Sequence, residues 1–200
     1  MASSSSERVP VTVLTGFLGS GKTTLLNHIL TATHGKKIAI IENEFGDVGI
    51  DDALIQKTSK FSSEEEIIEV LNGCLCCSVR QDLVVLLKGF AERAAAGELK
   101  LDAIIIETTG MADPGPVAAS LWLDDALESP LELDGVITLV DAVHAHRQLH
   151  TVECSRQIAS ADTLVLNKCG DAAAAGFALD RLCSARNRLG TVSEASPAGG

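Results

Sequence analysis

Val11-Thr12-Val13-Leu14-Thr15-Gly16-Phe17-Leu18-Gly19-Ser20-Gly21-Lys22-Thr23-Thr24 reads as an apolar strand, a glycine-rich turn and the start of a helix predicted over Thr23 to His34. The three glycines let the backbone curl so that successive N–H groups point inward, and the helix aims its positive end at the same spot. The stretch is therefore a phosphate cradle. Gly16, Gly19, Ser20, Gly21, Lys22, Thr23 and Thr24 are the candidate nucleotide-binding residues. Lys22 is expected to reach the β/γ-phosphates, and Thr23 to offer the hydroxyl that a Mg²⁺ bridging those phosphates needs. With glycine at about 7% usage, these fixed positions would match by chance in fewer than about 1 in 100 chains of this length.

The bulk properties narrow the context. Two hundred residues at 46% hydrophobic content suit one domain with one large core. No apolar run reaches the roughly 18 residues a membrane-spanning helix needs. Met1 to Arg8 lacks the basic-then-apolar order of a secretory signal and reads as a short disordered tail, residues 1–8. A net charge of −11 argues against nucleic acid as the main partner, because neutralising phosphates takes clustered Lys and Arg. Six cysteines without an export signal imply a reducing compartment, the cytoplasm, where thiols pack or bind metals. Cys154, Cys169 and Cys183 are scattered and read as small buried or half-buried side chains.

Beyond the first helix, Lys37 to Ile41 is a buried strand ending in Glu42-Asn43-Glu44-Phe45-Gly46-Asp47, a polar loop at the edge where ligands of open α/β sheets bind. Residues 51 to 66 are polar and read as a surface connection or short helix. Ile67 to Leu71, a short strand, delivers the chain to Asn72-Gly73-Cys74-Leu75-Cys76-Cys77. Three thiols within four residues can converge on one soft cation, Zn²⁺, Cu(I) or Co²⁺. Redox sensing and packing are the competing readings; a vicinal Cys76–Cys77 disulfide is strained and disfavoured in a reducing compartment. Cys74, Cys76 and Cys77 supply at most three ligands. Glu42 is the candidate for the fourth, since both loops follow strands and can meet at the same edge, and a mixed Cys/Glu site favours handing a metal on over holding it permanently.

Ser78 to Ala96 is an amphipathic helix with Leu83, Leu86, Leu87 and Phe90 on one face. Leu101 to Ile106 is a β-branched strand closing on Glu107-Thr108-Thr109-Gly110. Glu107 is expected to act on Mg²⁺ through water, and the Gly110 N–H to sense the terminal phosphate. A helix from Val117 to Leu127 carries Trp122, read as core or interface. Val136 to Val140 is a strand ending at Asp141. His144, His146 and His150 follow; on a helix only His146 and His150 share a face, and they read as a solvated helix end, with an accessory metal site as the alternative. The last strand, Leu164 to Leu166, ends in Asn167-Lys168-Cys169-Gly170-Asp171. An Asn-Lys-x-Asp here would select guanine, but Gly170 stands where that Asp belongs. An alanine-rich helix and a Ser/Pro/Gly tail complete the chain.

Gly16 to Thr24, Glu42 to Gly46, Cys74 to Cys77, Glu107 to Pro114 and Val140 to His144 together resemble the CobW family of P-loop GTPases, which includes zinc-regulated metallochaperones. The resemblance implies a three-layer α/β P-loop NTPase domain with a mostly parallel sheet and helices on both faces. It implies GTP, Mg²⁺ and Zn²⁺ or a related transition metal as ligands, and a client metalloprotein as partner; self-association is compatible with it. By matching positions, Cys74, Cys76 and Cys77 would hold the metal, with Glu42 added and Asp47 the alternative. Asn167 and Lys168 would hold the base. Lys22, Thr23 and Glu107 would carry GTP hydrolysis, with Glu42, Asp47 and Arg80 as candidates for positioning water. The expected layout is a GTPase domain over residues 9–190 and a disordered tail over 191–200, with the family's C-terminal domain lacking. A nucleotide-gated metal sensor with negligible turnover is the alternative reading.

Overall fold

The computed structural model describes residues 8–32, 35–43, 55–56, 67–72, 79–123, 130–186 and 192–194. Its strands are β1 (Val9–Gly16), β2 (Ile38–Asn43), β3 (Ile55–Gln56), β4 (Ile67–Asn72), β5 (Ala103–Glu107), β6 (Leu131–Asp141), β7 (Thr163–Asn167) and β8 (Val192–Glu194). Its helices are α1 (Lys22–Thr31), α2 (Val79–Ala95), α3 (Gly115–Leu123), α4 (Ala145–Gln148), α5 (Val152–Ala159) and α6 (Ala172–Arg186). The fold class is the expected one, α/β with a mostly parallel sheet.

The chain divides into two compact units. The first takes residues 1–12, 33–107 and 115–134, and the second takes 13–32, 108–114 and 135–200. In the first, strands run in the order β3-β4-β2-β5. β2 pairs in parallel with β4 on one side and with β5 on the other, which aligns the carboxyl ends of all three. Short β-branched runs suit this position, because a strand covered on both faces needs apolar side chains on both. Val11, Ala39, Ile41, Ile104 and Ile106 form the core with Leu83, Leu87 and Phe90 of α2 and Leu121 of α3. Leu83, Leu87 and Phe90 recur at helical spacing and are nearly fully buried, each worth about 1.5–3 kcal/mol on leaving water. Leu86, on the same stripe, packs partly buried against them.

In the second unit β7 lies between β6 and β8, parallel to both. Val140, Leu164, Leu166 and Leu182 form its core with the small side chains of Ala142, Ala145, Ala161 and Ala178, which bring α4 and α6 close to the strands. Thr151 caps α5, its hydroxyl accepting from the Cys154 N–H at 3.2 Å.

Four expectations are corrected. Ile55–Gln56 lies where a surface connection or short helix was predicted, yet it pairs antiparallel to β4, Ile55 opposite Val70. Val192–Glu194 lies in the predicted tail but pairs with β7 in parallel, Val192 opposite Leu164. In both places the pairing partner, absent from any local pattern, makes the strand. The histidine helix stops at Gln148, so His146 and His150 do not share a helical face. Cys183 is exposed, because the buried stripe of α6 passes through Ala178 and Leu182 instead. Among the described residues no helix is long and apolar enough to cross a membrane.

Candidate nucleotide and metal site

The loop after β1 has the curled backbone that its glycines predict, with Gly16, Gly19 and Gly21 at φ of +147°, +74° and +102°. Gly16 is required twice over. Its φ is one that L side chains rarely adopt, and a Cβ there would lie 2.5 Å from the Leu139 carbonyl oxygen and 2.7 Å from Ser20 Oγ. Lys22, at the start of α1, is only 8% exposed, and its ammonium donates to the Gly16 carbonyl at 2.8 Å. The cation is thus held at the mouth of its own loop. Ser20 Oγ is buried and, among the described residues, has no hydrogen-bond partner. An orphaned hydroxyl inside this glycine loop fits an anionic ligand, since an unmet buried polar atom is otherwise costly. Thr23 and Thr24 are exposed on the first turn of α1.

The loop is braced from the end of β7. Asn167 Nδ2 donates to the Ser20 carbonyl at 2.9 Å, and its Oδ1 accepts from the Lys168 N–H at 2.9 Å. Lys168, with φ +62°, sends its ammonium to the Gly19 carbonyl at 2.6 Å and to Asp141 Oδ2 at 2.8 Å. Asp141, at the end of β6, is 1% exposed. Its Oδ1 accepts from the Val143 and His144 N–H groups, and its Oδ2 also meets His144 Nδ1 at 2.9 Å. Burial alone would raise this carboxyl, but the bonds from Lys168 and His144 outweigh it and hold the group below the usual 3.8. Asn167 and Lys168, predicted to hold a base, therefore also fix two carbonyls of the cradle.

The segment after β5 is tied to the same loop. Thr108 donates its backbone N–H to the Leu14 carbonyl at 3.0 Å and its hydroxyl to Thr15 Oγ1 at 2.8 Å, both threonines being fully buried. A Cβ on Gly110 would lie 2.7 Å from Leu18 N and 2.8 Å from Leu18 Cα, so the predicted phosphate-sensing glycine touches the loop backbone. Behind it, buried Gln157 of α5 donates from Nε2 to the Gly110 and Ala112 carbonyls, each at 3.1 Å.

The predicted metal residues divide. In register, Glu42 of β2 stands beside Glu107 of β5 and beside Leu71 of β4, one residue short of the end of both β2 and β4. β4 then leads directly into Gly73 and Cys74. Cys74, Cys76, Cys77 and Asp47 lie outside the described residues, as do the side chains of Glu42 and Arg80. Among the described residues no group of three or more His, Cys, Asp or Glu side chains could hold a metal ion. Cys154 packs as predicted; burial raises its thiol to about 11. Asp141, Thr15 and Gln157 were not singled out as site residues from sequence. Asp141 alone carried a signal, as an acid closing a β-branched strand; Thr15 and Gln157 are defined by partners far along the chain.

A family model, the CobW/HypB/UreG nucleotide-binding domain, matches residues 10–193. The zinc chaperone YjiA of Escherichia coli K12 is 45% identical over 161 residues, covering 80% of this chain and 49% of that protein. The zinc-regulated GTPase metalloprotein activator 1 of Schizosaccharomyces pombe is 42% identical over 163 residues, covering 80% of this chain and 39% of that protein. The chain spans about half or less of the length of these relatives. The crystal structure of Zn(II)-bound YjiA GTPase from E. coli superposes with a TM-score of 0.70 at 36% identity, over 97% of this chain and 59% of the other. With its glycine-rich cradle, buried lysine and parallel sheet, the chain belongs to the CobW/HypB/UreG family, within its nucleotide-binding domain.

Proposed function

We propose that this chain hydrolyses GTP and couples that hydrolysis to binding Zn²⁺ at Cys74, Cys76 and Cys77, for delivery to a client metalloprotein. The observation that carries the reading is the pre-set cradle: a buried ammonium on the Gly16 carbonyl, an unmet Ser20 hydroxyl, and a loop held by Asn167 and Lys168. Such a site can stabilise charge on a transferring phosphoryl group. Lys22 would exchange the Gly16 carbonyl for phosphate oxygens. The Thr23 hydroxyl is an oxygen donor of the kind Mg²⁺ takes and would hold it, with the Glu107 carboxylate acting on it through water. Bound there, the ion would neutralise phosphate charge as water attacks in line. Gly110, packed on Leu18, would report loss of the terminal phosphate through the segment that begins at Thr108.

The zinc is cargo in this reading. Three thiolates with Glu42 make a mixed set that binds Zn²⁺ and can release it to a client. The names of the relatives support zinc handling. Glu42 and Glu107, side by side in register, give the metal loop and the segment after β5 neighbouring strand ends through which each ligand could change the other's affinity by the same factor.

The test is hydrolysis of GTP by metal-stripped protein, with and without one equivalent of Zn²⁺, beside Cys76→Ala. Turnover that rises with zinc in the parent and not in the variant is expected. Zinc binding without turnover would replace this reading with a nucleotide-gated metal sensor.

A further inference from the structure

We infer that the base site of this chain does not read the 2-amino group of guanine, so that it takes guanosine and inosine nucleotides alike. The inference rests on the nucleotide reading above and concerns the turn after β7.

A carboxylate three residues after Asn167 would accept from the ring N–H and the exocyclic amine of guanine. That position is Gly170, and, its two chain neighbours aside, nothing among the described residues lies within 4 Å of where its Cβ would stand. The next residue carries a carboxylate, but Asp171 Oδ1 accepts from the Ala173 N–H at 2.9 Å and the Ala174 N–H at 3.1 Å, while its own carbonyl accepts from Ala175 at 2.9 Å. Asp171 is the cap of α6, its carboxylate turned onto the first turn of its own helix. Reading a base with Oδ1 would mean giving up both bonds.

The remaining members of the turn cannot supply the discrimination. Asn167 spends one Nδ2 proton on Ser20 and one Oδ1 lone pair on Lys168. Its second Nδ2 proton suits a ring N7 acceptor, which every purine shares. The Lys168 ammonium is committed to Gly19 and Asp141, which leaves its aliphatic stem as an apolar face for any base. These groups recognise a purine without distinguishing hypoxanthine from guanine, which differ only by the 2-amino group. A site that makes no hydrogen bond to a group cannot reject the analogue lacking it.

The experiment displaces mant-GDP from the full chain with GDP and with IDP, in the parent, Gly170→Asp and Asp171→Asn. Asn caps helices as well as Asp does, so the second variant keeps α6 while removing the charge. In the parent the two affinities are expected to agree within about threefold. Gly170→Asp, which has open space to enter, is expected to favour GDP by about tenfold or more, the worth of a hydrogen bond to a charged group. Asp171→Asn should leave the ratio where it was. A parent that prefers GDP by about tenfold overturns the inference, and loss of that preference in Asp171→Asn would identify the group responsible. Failure of mant-GDP to bind at all would instead remove the nucleotide reading on which the inference stands.

Discussion

Asp141→Asn tests the brace that holds the cradle. In the parent, one nearly inaccessible carboxylate accepts two backbone N–H groups on Oδ1 and the side chains of Lys168 and His144 on Oδ2. Asparagine can keep the Oδ1 bonds but turns an NH₂ toward the lysine ammonium, so a charge-assisted bond becomes an apposition of two donors. Such a bond is worth about 1.5–3 kcal/mol. Lys168 is 41% exposed and can turn to water, which places the cost at the lower end of that range. In a chain of this size that is a fall in Tm of at least about 3 °C. Urea unfolding of the parent, Asp141→Asn, Lys168→Met and the double variant should give a coupling of about 1–2 kcal/mol; a coupling under about 0.3 kcal/mol would refute the argument. The pH dependence has a definite sign. Because the folded carboxyl lies below 3.8, its contribution is fully present above that value and is lost as pH falls through the folded value. Parent and Asp141→Asn should therefore differ by the full amount near neutrality and converge in acid.

Gly110→Ala should lower stability by about 1–3 kcal/mol and weaken mant-GDP binding, because the new Cβ meets Leu18 backbone atoms that cannot swing aside; a change in urea midpoint equivalent to less than about 0.5 kcal/mol would show that the two backbones are not in close approach. Thr108→Val leaves the buried Thr15 hydroxyl without its donor and should cost about 1–3 kcal/mol in the same assay, whereas the double variant with Thr15→Val should recover much of that loss.

The strands β2, β4, β5 and β7 were legible because each is an apolar run closing on a polar loop, and α2 because its leucines recur at helical spacing. The glycine turn was legible, since Gly16, Gly19 and Gly21 answer to local backbone demands. What sequence could not supply was pairing. β3 and β8 are two and three residues long and exist through their neighbours. β6 begins at Leu131, five residues before the predicted start, because Leu131 is buried and Leu133 packs partly buried beside it while Glu132 and Asp134 alternate outward, a pattern masked by the charges. Asn167 and Lys168 were read for a base, and their bonds to Ser20 and Gly19 span nearly 150 residues of chain. Asp141 depends on a lysine 27 residues away. Side chains that hold another part of the chain do not name their partners in their own vicinity.

The burial of Lys22 separates two electrostatic regimes. A nucleoside triphosphate, the ligand proposed for the cradle, would meet repulsion from a chain of net charge −11 while it is far away, over distances that salt screens within about 8–10 Å. Once it reaches the loop, it meets an ammonium that solvent ions scarcely touch. Ionic strength then acts on the two stages differently: added salt speeds the encounter and leaves the dwell time nearly unchanged. The affinity of such an acidic protein for a polyanion rises with salt, the reverse of what a basic surface would give.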